Sequence, residues 1–318
     1  MICIITVVLI IIFLVLRQGG FMTWPSAANG SVAKTDFNNL VSGLKESNIF
    51  DNLLINGGFE IWQRGNSFTG TSNMFTADMW KFGGSSAGYT LTRESSELHS
   101  GEYSLKIVIT STSKTLKQKI ENYKEVKGKP ISFSAWVKSS VASKVRLRIQ
   151  DNEGQTYSSY NSGTGWEKLT VTRTPTSAIT ELYVYFEFDG TSGLTAYTDD
   201  AMMVLGSEPI GFTPRSPGLE QALCERWYEE ESNVYENANT INHYLYLVVR
   251  FRNKKSATPG TITFTPTITF SDGTDDTSNW SVLSSGSNEN GFSKIYQRTG
   301  NQDGAYLING SFSAEVDF

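Results

Sequence analysis

Three short segments of this chain set aromatic and charged side chains opposite apolar ones at every second position. In 131–138 (ISFSAWVK), Ile131, Phe133, Ala135 and Val137 alternate with a polar set that includes Trp136. In 145–150 (VRLRIQ), Val145, Leu147 and Ile149 alternate with Arg146, Arg148 and Gln150. In 182–189 (LYVYFEFD), Leu182, Val184, Phe186 and Phe188 alternate with Tyr183, Tyr185, Glu187 and Asp189. A period of two places successive side chains on opposite faces of a strand, so each segment predicts a β-strand with one buried face. The outward sets combine flat rings (Trp136, Tyr183, Tyr185) with donors and acceptors (Arg146, Arg148, Gln150, Glu187). A pyranose offers apolar C–H faces and a rim of hydroxyls, and this combination of side chains suits it. The expectation is that the three strands are neighbours in one curved sheet and that these side chains line a single groove. Exposed aromatics on a sheet equally suit a face covered by another domain or subunit, and the residues leave both readings open.

Other chemistries have less support. His99 and His243 lie in no nucleophile motif, and the chain has no glycine-rich phosphate loop, so no enzyme is expected. Glycoside hydrolysis needs two flanking carboxylates, and with 32 acidic residues in the chain some such pair arises by chance. The acidic run Glu229, Glu230 and Glu231 reads as a solvated helix end. Cys3 and Cys224 are too few and too far apart for a disulfide framework, and zinc-type Cys and His spacings are absent. Any metal is expected to be a hard cation held by oxygen, calcium above all. With a net charge of −5 and a pI near 5.3, the chain is not expected to bind nucleic acid.

The elements that must position these residues follow from composition and punctuation. The 318 residues allow two domains, and 28 glycines with only 19% charged residues favour strands and turns. The expected fold is all-β dominated: a jelly-roll β-sandwich over 52–207, a linker and helix over 208–230, and a smaller C-terminal β domain over 231–318. In the helix Ser216 is the expected cap, Pro217 suits the first helical position, and Leu219, Ala222, Leu223 and Trp227 form an apolar stripe. Beyond it, 245–251, 261–270, 292–298 and 312–318 read as strands. Ahead of the sandwich, 22–51 reads as an attachment segment with a short amphipathic pattern at Phe37, Leu40, Val41 and Leu44. The first sixteen residues, MICIITVVLIIIFLVL, fall short of the roughly 20 needed to span a bilayer. The stretch 1–21 is expected to be an extension ahead of a start at Met22, a membrane anchor, or a buried element.

Particular motifs point to known families. The stretch 52–64, NLLINGGFEIWQR, followed by Ala77, Asp78, Met79 and Trp80, resembles the opening of jelly-roll domains in bacteriophage tail-fibre proteins. The stretch 203–228, MVLGSEPIGFTPRSPGLEQALCERWY, is similar to their exit, and 311–318, SFSAEVDF, to their closing strand. That resemblance implies a virion appendage, likewise assembled as a homotrimer with other virion proteins, that attaches to a bacterial surface glycan. The central segment also resembles carbohydrate-binding modules of families four, nine and twenty-two. The matching residues are Asn56, Gly57, Gly58, Phe59 and Glu60, then 101–106 (GEYSLK), Trp136, and Asp199 with Asp200. This second resemblance implies a structural calcium ion held by Glu60 and Asp200, with oxygens near Gly58 and Ser100.

Overall fold

The computed structural model describes residues 52–69, 73–83, 88–190, 193–239, 244–270, 274–299 and 305–316. The expectations for 1–21 and for the amphipathic pattern at Phe37 to Leu44 lie outside these residues.

Two antiparallel sheets make the jelly-roll sandwich. In the first, β1 (Ser67–Thr69), β3 (Tyr89–Glu94), β4 (Ser104–Ile109), β11 (Leu194–Leu205), β6 (Ile131–Ser139) and β9 (Glu167–Arg173) lie in the order β1-β3-β4-β11-β6-β9. In the second, β2 (Lys81–Gly83), β5 (Lys114–Lys119), β10 (Leu182–Phe188), β7 (Val145–Asp151) and β8 (Gly154–Tyr157) lie in the order β2-β5-β10-β7-β8. The alternation in the sequence explains the layering. Phe133 and Val137 of β6, Leu147 of β7 and Phe186 of β10 are all fully buried between the sheets. Phe133 meets Phe186 edge to face across the sandwich at 5.8 Å, and Trp80 packs on Phe186 at 5.4 Å. Each such pair contributes about 0.5–1.5 kcal/mol beyond the area it buries. Arg173 of β9 grips the buried Asp151 of β7 through Nε at 2.8 Å, so the two sheets are also joined by an ion pair.

The motif that opens the sandwich does structural work. Asn56 has a left-handed backbone (φ 54°), and its side chain donates to the carbonyls of Ile61 and Asp78 while accepting from the Ile61 amide. A Cβ on Gly57 would stand 2.1 Å from the carbonyl oxygen of Ala201, so only glycine lets this turn approach β11. Arg64 pairs with buried Asp78 at 2.6 Å and lies 3.8 Å over the Tyr228 ring. In the exit motif, Arg215 donates to the Asn52 and Leu54 carbonyls and pairs with Glu220, tying the exit to the entry.

The helix α1 spans Pro217–Glu225. Its cap differs from expectation: the Ser216 side chain makes no capping bond, and its carbonyl instead accepts from the Leu219 and Glu220 amides. The apolar stripe differs too. Leu219 is 51% exposed, whereas Cys224 is buried and packs with Leu223 and Trp227 against Ile55 and Met79.

The remaining strands form two three-stranded antiparallel sheets. One has β12 (Tyr228–Asn239), β17 (Ala305–Glu315) and β14 (Thr261–Phe270), and the other β13 (Tyr244–Arg250), β16 (Gly291–Arg298) and β15 (Trp280–Asn288). Leu245, Leu247, Phe292, Phe312 and Ile308 fill the space they enclose. The acidic run is no solvated helix end. It opens β12, and Glu229 is buried against Lys255 at 2.5 Å. Removing one partner of a pair so buried costs about 3–5 kcal/mol, because the other charge is left without a counterion. Among the described residues no helix is long and apolar enough to cross a membrane.

Candidate functional site

The five-stranded sheet turns its outer face to solvent, and cross-strand register arranges its side chains in rows. Lys81 lies opposite Lys117, Lys117 opposite Tyr185, Tyr185 opposite Arg148, and Arg148 opposite Tyr157, so one row crosses all five strands. A second row runs Lys119, Tyr183, Gln150 and Gln155, and a third runs Gly83, Thr115, Glu187 and Arg146. These residues face outward because their neighbours Leu116, Phe186, Leu147 and Ile149 face the core.

Charge and ring geometry organise the centre of this face. The Glu187 carboxylate accepts from Arg146 Nε at 2.7 Å and lies 3.1 Å from Arg148 Nε. The Arg148 guanidinium sits 3.9 Å over the Tyr185 ring and donates to Gln155 at 3.1 Å, and Arg146 sits 3.9 Å over Tyr157 and 4.9 Å from Tyr160. Tyr183 lies beside Tyr185 with ring centres 6.1 Å apart. Burial and the hydrogen bond to Glu181 push the Tyr183 phenol up to about 12, and burial also raises that of Tyr185. Exposure grades across the face: Tyr185 is only 9% exposed, while Tyr157 and Tyr160 at its margin are 36% and 38% exposed. The arrangement offers flat rings, fixed guanidinium donors and carboxamides on one surface, the complement of a hydroxylated ring.

Six of the residues singled out from the sequence therefore share this face: Arg146, Arg148, Gln150, Tyr183, Tyr185 and Glu187. Trp136 does not, which corrects the expectation of a single groove. Its strand β6 belongs to the other sheet, between β11 and β9, so the outward side of β6 looks away from β7 and β10. There the His99 ring stacks on Trp136 at 3.8 Å, and Trp166 meets His99 edge-on at 5.9 Å. His99 is fixed in turn by its amide donating to Asp199 at 2.9 Å and by its Nδ1 lying 2.5 Å from Asp200. One face of the partly exposed Trp136 indole is thus taken by His99 of the chain's own 95–103 loop.

The residues expected to hold calcium gather at one end of this loop. Asp200 accepts from the Ser100 hydroxyl at 2.5 Å and faces His99 with its other oxygen, and Glu60 accepts from the Glu102 amide at 2.8 Å. A Cβ on Gly101 (φ 69°) would collide with Glu60 Oε1 at 1.9 Å, so this glycine makes room for the carboxylate. Burial raises the Glu60 pKa against the pull of two backbone amides, and the charges of Glu102 and Asp200 raise it further. Burial likewise pushes Asp199 up to about 7. Gly58, Glu60 and Ser100 line a cleft of about 530 Å³ together with Tyr103, Phe212 and Arg215. Among the described residues no three His, Cys, Asp or Glu side chains come together as a metal cage.

Tyr157, Tyr160, Lys81, Lys117 and Lys119 belong to the five-stranded face but do not stand out in the sequence. Tyr157 and Tyr160 sit in QTYSSY, a polar stretch with no apolar alternation, and the lysines of β5 sit in KTLKQK, where both faces carry polar residues. The inward Gln118 is the cause. It donates to the Ile55 carbonyl and accepts from the Ile55 amide, both at 2.8 Å, and so satisfies a polar group within the core.

Residues 51–193 match the family model described as "Carbohydrate binding domain", a stretch that contains β1 through β10. No curated protein is significantly similar in sequence. Among solved structures, a family 61 carbohydrate-binding module in complex with β-1,4-galactotriose is 18% identical, over 49% of this chain and 99% of that one, with a TM-score of 0.36. A xylan-binding domain from Paenibacillus barcinonensis is 15% identical, over 50% of this chain and 97% of that one, with a TM-score of 0.36. The enzymatically active domain of tailspike protein 4 from bacteriophage CBA120 is 12% identical, over 51% of this chain and 23% of that one, with a TM-score of 0.36.

Proposed function

We propose that this chain is a non-catalytic glycan-binding subunit of a phage tail fibre or similar virion appendage, and that it attaches to a bacterial surface glycan through the five-stranded face. The observation that carries the binding half is the row from Lys81 through Tyr185 and Arg148 to Tyr157, which crosses every strand of one sheet. Five strands at about 4.8 Å spacing make a strip about 19 Å long, which suits an oligosaccharide better than a single sugar. The virion half rests on the motifs at 52–64, 203–228 and 311–318. Several weak sites on one appendage would add avidity.

One observation favours a second reading, a structural virion subunit in which the jelly roll is a spacer. Arg148 covers Tyr185 and Arg146 covers Tyr157, so both rings already have a partner. A bacterial glycan array with the full chain separates the two. Saturable binding without released oligosaccharide supports the first reading, and the absence of any binding supports the spacer.

Calcium belongs to the same proposal. Glu60 and Asp200 are like charges close enough to act on one another, and a divalent cation with oxygen ligands would relieve that repulsion. Added calcium should raise the Tm, and Glu60→Gln should abolish the rise. An unchanged Tm in calcium and in chelator would leave His99 and Ser100 as the partners that steady Asp200.

A further inference from the structure

We infer that the five-stranded face selects an acidic glycan, one whose repeat carries a carboxylate, over a neutral chain. This deepens the glycan-binding reading and rests on it. The chain as a whole is acidic, with a net charge of −5, yet this face gathers Lys81, Lys117, Lys119, Arg146 and Arg148. Its carboxylates are committed. Glu187 is held between Arg146 and Arg148, and Glu181 accepts from the Tyr183 hydroxyl at 3.1 Å.

The lysines differ from the arginines. Among the described residues no carboxylate lies within ion-pair distance of Lys81, Lys117 or Lys119, and these ammonium groups approach rings: Lys81 at 5.1 Å from Phe75, and Lys117 and Lys119 at 5.3 and 5.7 Å from Tyr183. Lys117 sits directly opposite Lys81 in the sheet, a like-charge cross-strand pair that destabilises the free protein. Consistent with that crowding, burial and the charge of Lys81 lower the Lys117 pKa against the pull of the Glu181 charge. A ligand carboxylate set between these ammonium groups removes the repulsion and makes charge-assisted hydrogen bonds. The same row continues to Tyr185, Arg148 and Tyr157, so a sugar ring stacked at the tyrosines brings its chain across the lysines. Binding anions at the lysine end and apolar ring faces at the tyrosine end is what a uronic-acid-type repeat requires.

The test uses the full chain and a panel of polygalacturonate, hyaluronate and polysialate, each beside its carboxyl-reduced or esterified counterpart, together with neutral bacterial glycans. Titration calorimetry should give at least about tenfold tighter binding to an acidic polymer than to its neutralised form. That preference should weaken as salt rises, and Lys117→Gln with Lys119→Gln should remove it while circular dichroism stays unchanged. Equal affinity for the two forms, or a preference that survives the double substitution, would overturn the inference. Binding to neutral glycans alone would overturn it and leave the glycan-binding reading standing, whereas no binding to any glycan would remove both.

Discussion

The two outer faces of the sandwich start from the same sequence pattern and end differently. On the five-stranded sheet, Tyr183, Arg146 and Arg148 stay partly exposed around the more buried Tyr185, held by one another and by Glu187. On the six-stranded sheet, Trp136 has the same alternation beneath it, yet the 95–103 loop returns over it and stacks His99 on the indole. Alternation fixes which residues point outward, but the path of a distant loop decides which outward side chains acquire a partner from elsewhere in the chain. An exposed aromatic read from a strand is therefore a surface candidate only once the covering loops are known.

Substitutions should separate the faces. Arg148 bridges Tyr185, Gln155 and Glu187, so Arg148→Ala should weaken glycan binding by about 1.5–3 kcal/mol, about 10- to 150-fold in Kd by calorimetry, with little change in Tm. Trp136→Ala should do the reverse. The half-buried indole and its stacked imidazole make a loss of about 2–3 kcal/mol in denaturant unfolding the expected result, with glycan affinity unchanged. If Trp136→Ala weakened binding and left stability intact, the contrast between the faces would be reversed. A smaller effect is expected from Tyr157→Ala, about 1 kcal/mol of binding, because this ring lies at the margin of the face and is already partly solvated.

Titration should mark the same divide. Asp199 lies beneath the covered face and accepts from the amides of His99, Ser100 and Asp200. Its folded pKa of about 7 lies above the ordinary 3.8, so the folded state holds this proton more tightly than the unfolded chain does. The resulting stabilisation is complete below about pH 4 and is lost as pH rises through about 7, at about 1.4 kcal/mol per unit of difference. In chelating buffer, Asp199→Asn should flatten that part of the stability profile, and an unaltered profile would mean that Asp199 does not titrate there. The open face should be quiet, since its Tyr183 and Tyr185 phenols are raised and stay protonated. Between about pH 6 and 9, phenol ionisation should leave glycan affinity unchanged.

Much of the fold was legible in the sequence because buried strands keep their period. The stretches read as strands at 131–138, 145–150 and 182–189 are β6, β7 and β10, and those at 245–251, 261–270 and 292–298 overlap β13, β14 and β16. What the pattern hid has physical causes. The polar run of β12 reads as solvent-facing, although Glu229 is buried with Lys255 as its counterion. The strand β15, WSVLSSGSN, has no alternation to detect because nearly every residue in it is exposed. Sheet membership was hidden more deeply. Nothing local to 131–138 says that β6 pairs with β11 and β9 rather than with β7, and that long-range choice moves Trp136 off the face.

The most direct test of the account is hydroxyl-radical footprinting of the full chain, free and saturated with a glycan that binds it, with side-chain oxidation read by mass spectrometry. Tyr157 and Tyr160, each more than a third exposed, should lose reactivity when the glycan binds, while Trp136 and Trp166 keep theirs. Protection of Trp136 and Trp166 with Tyr157 and Tyr160 unaffected would place the glycan on the six-stranded sheet and contradict the account.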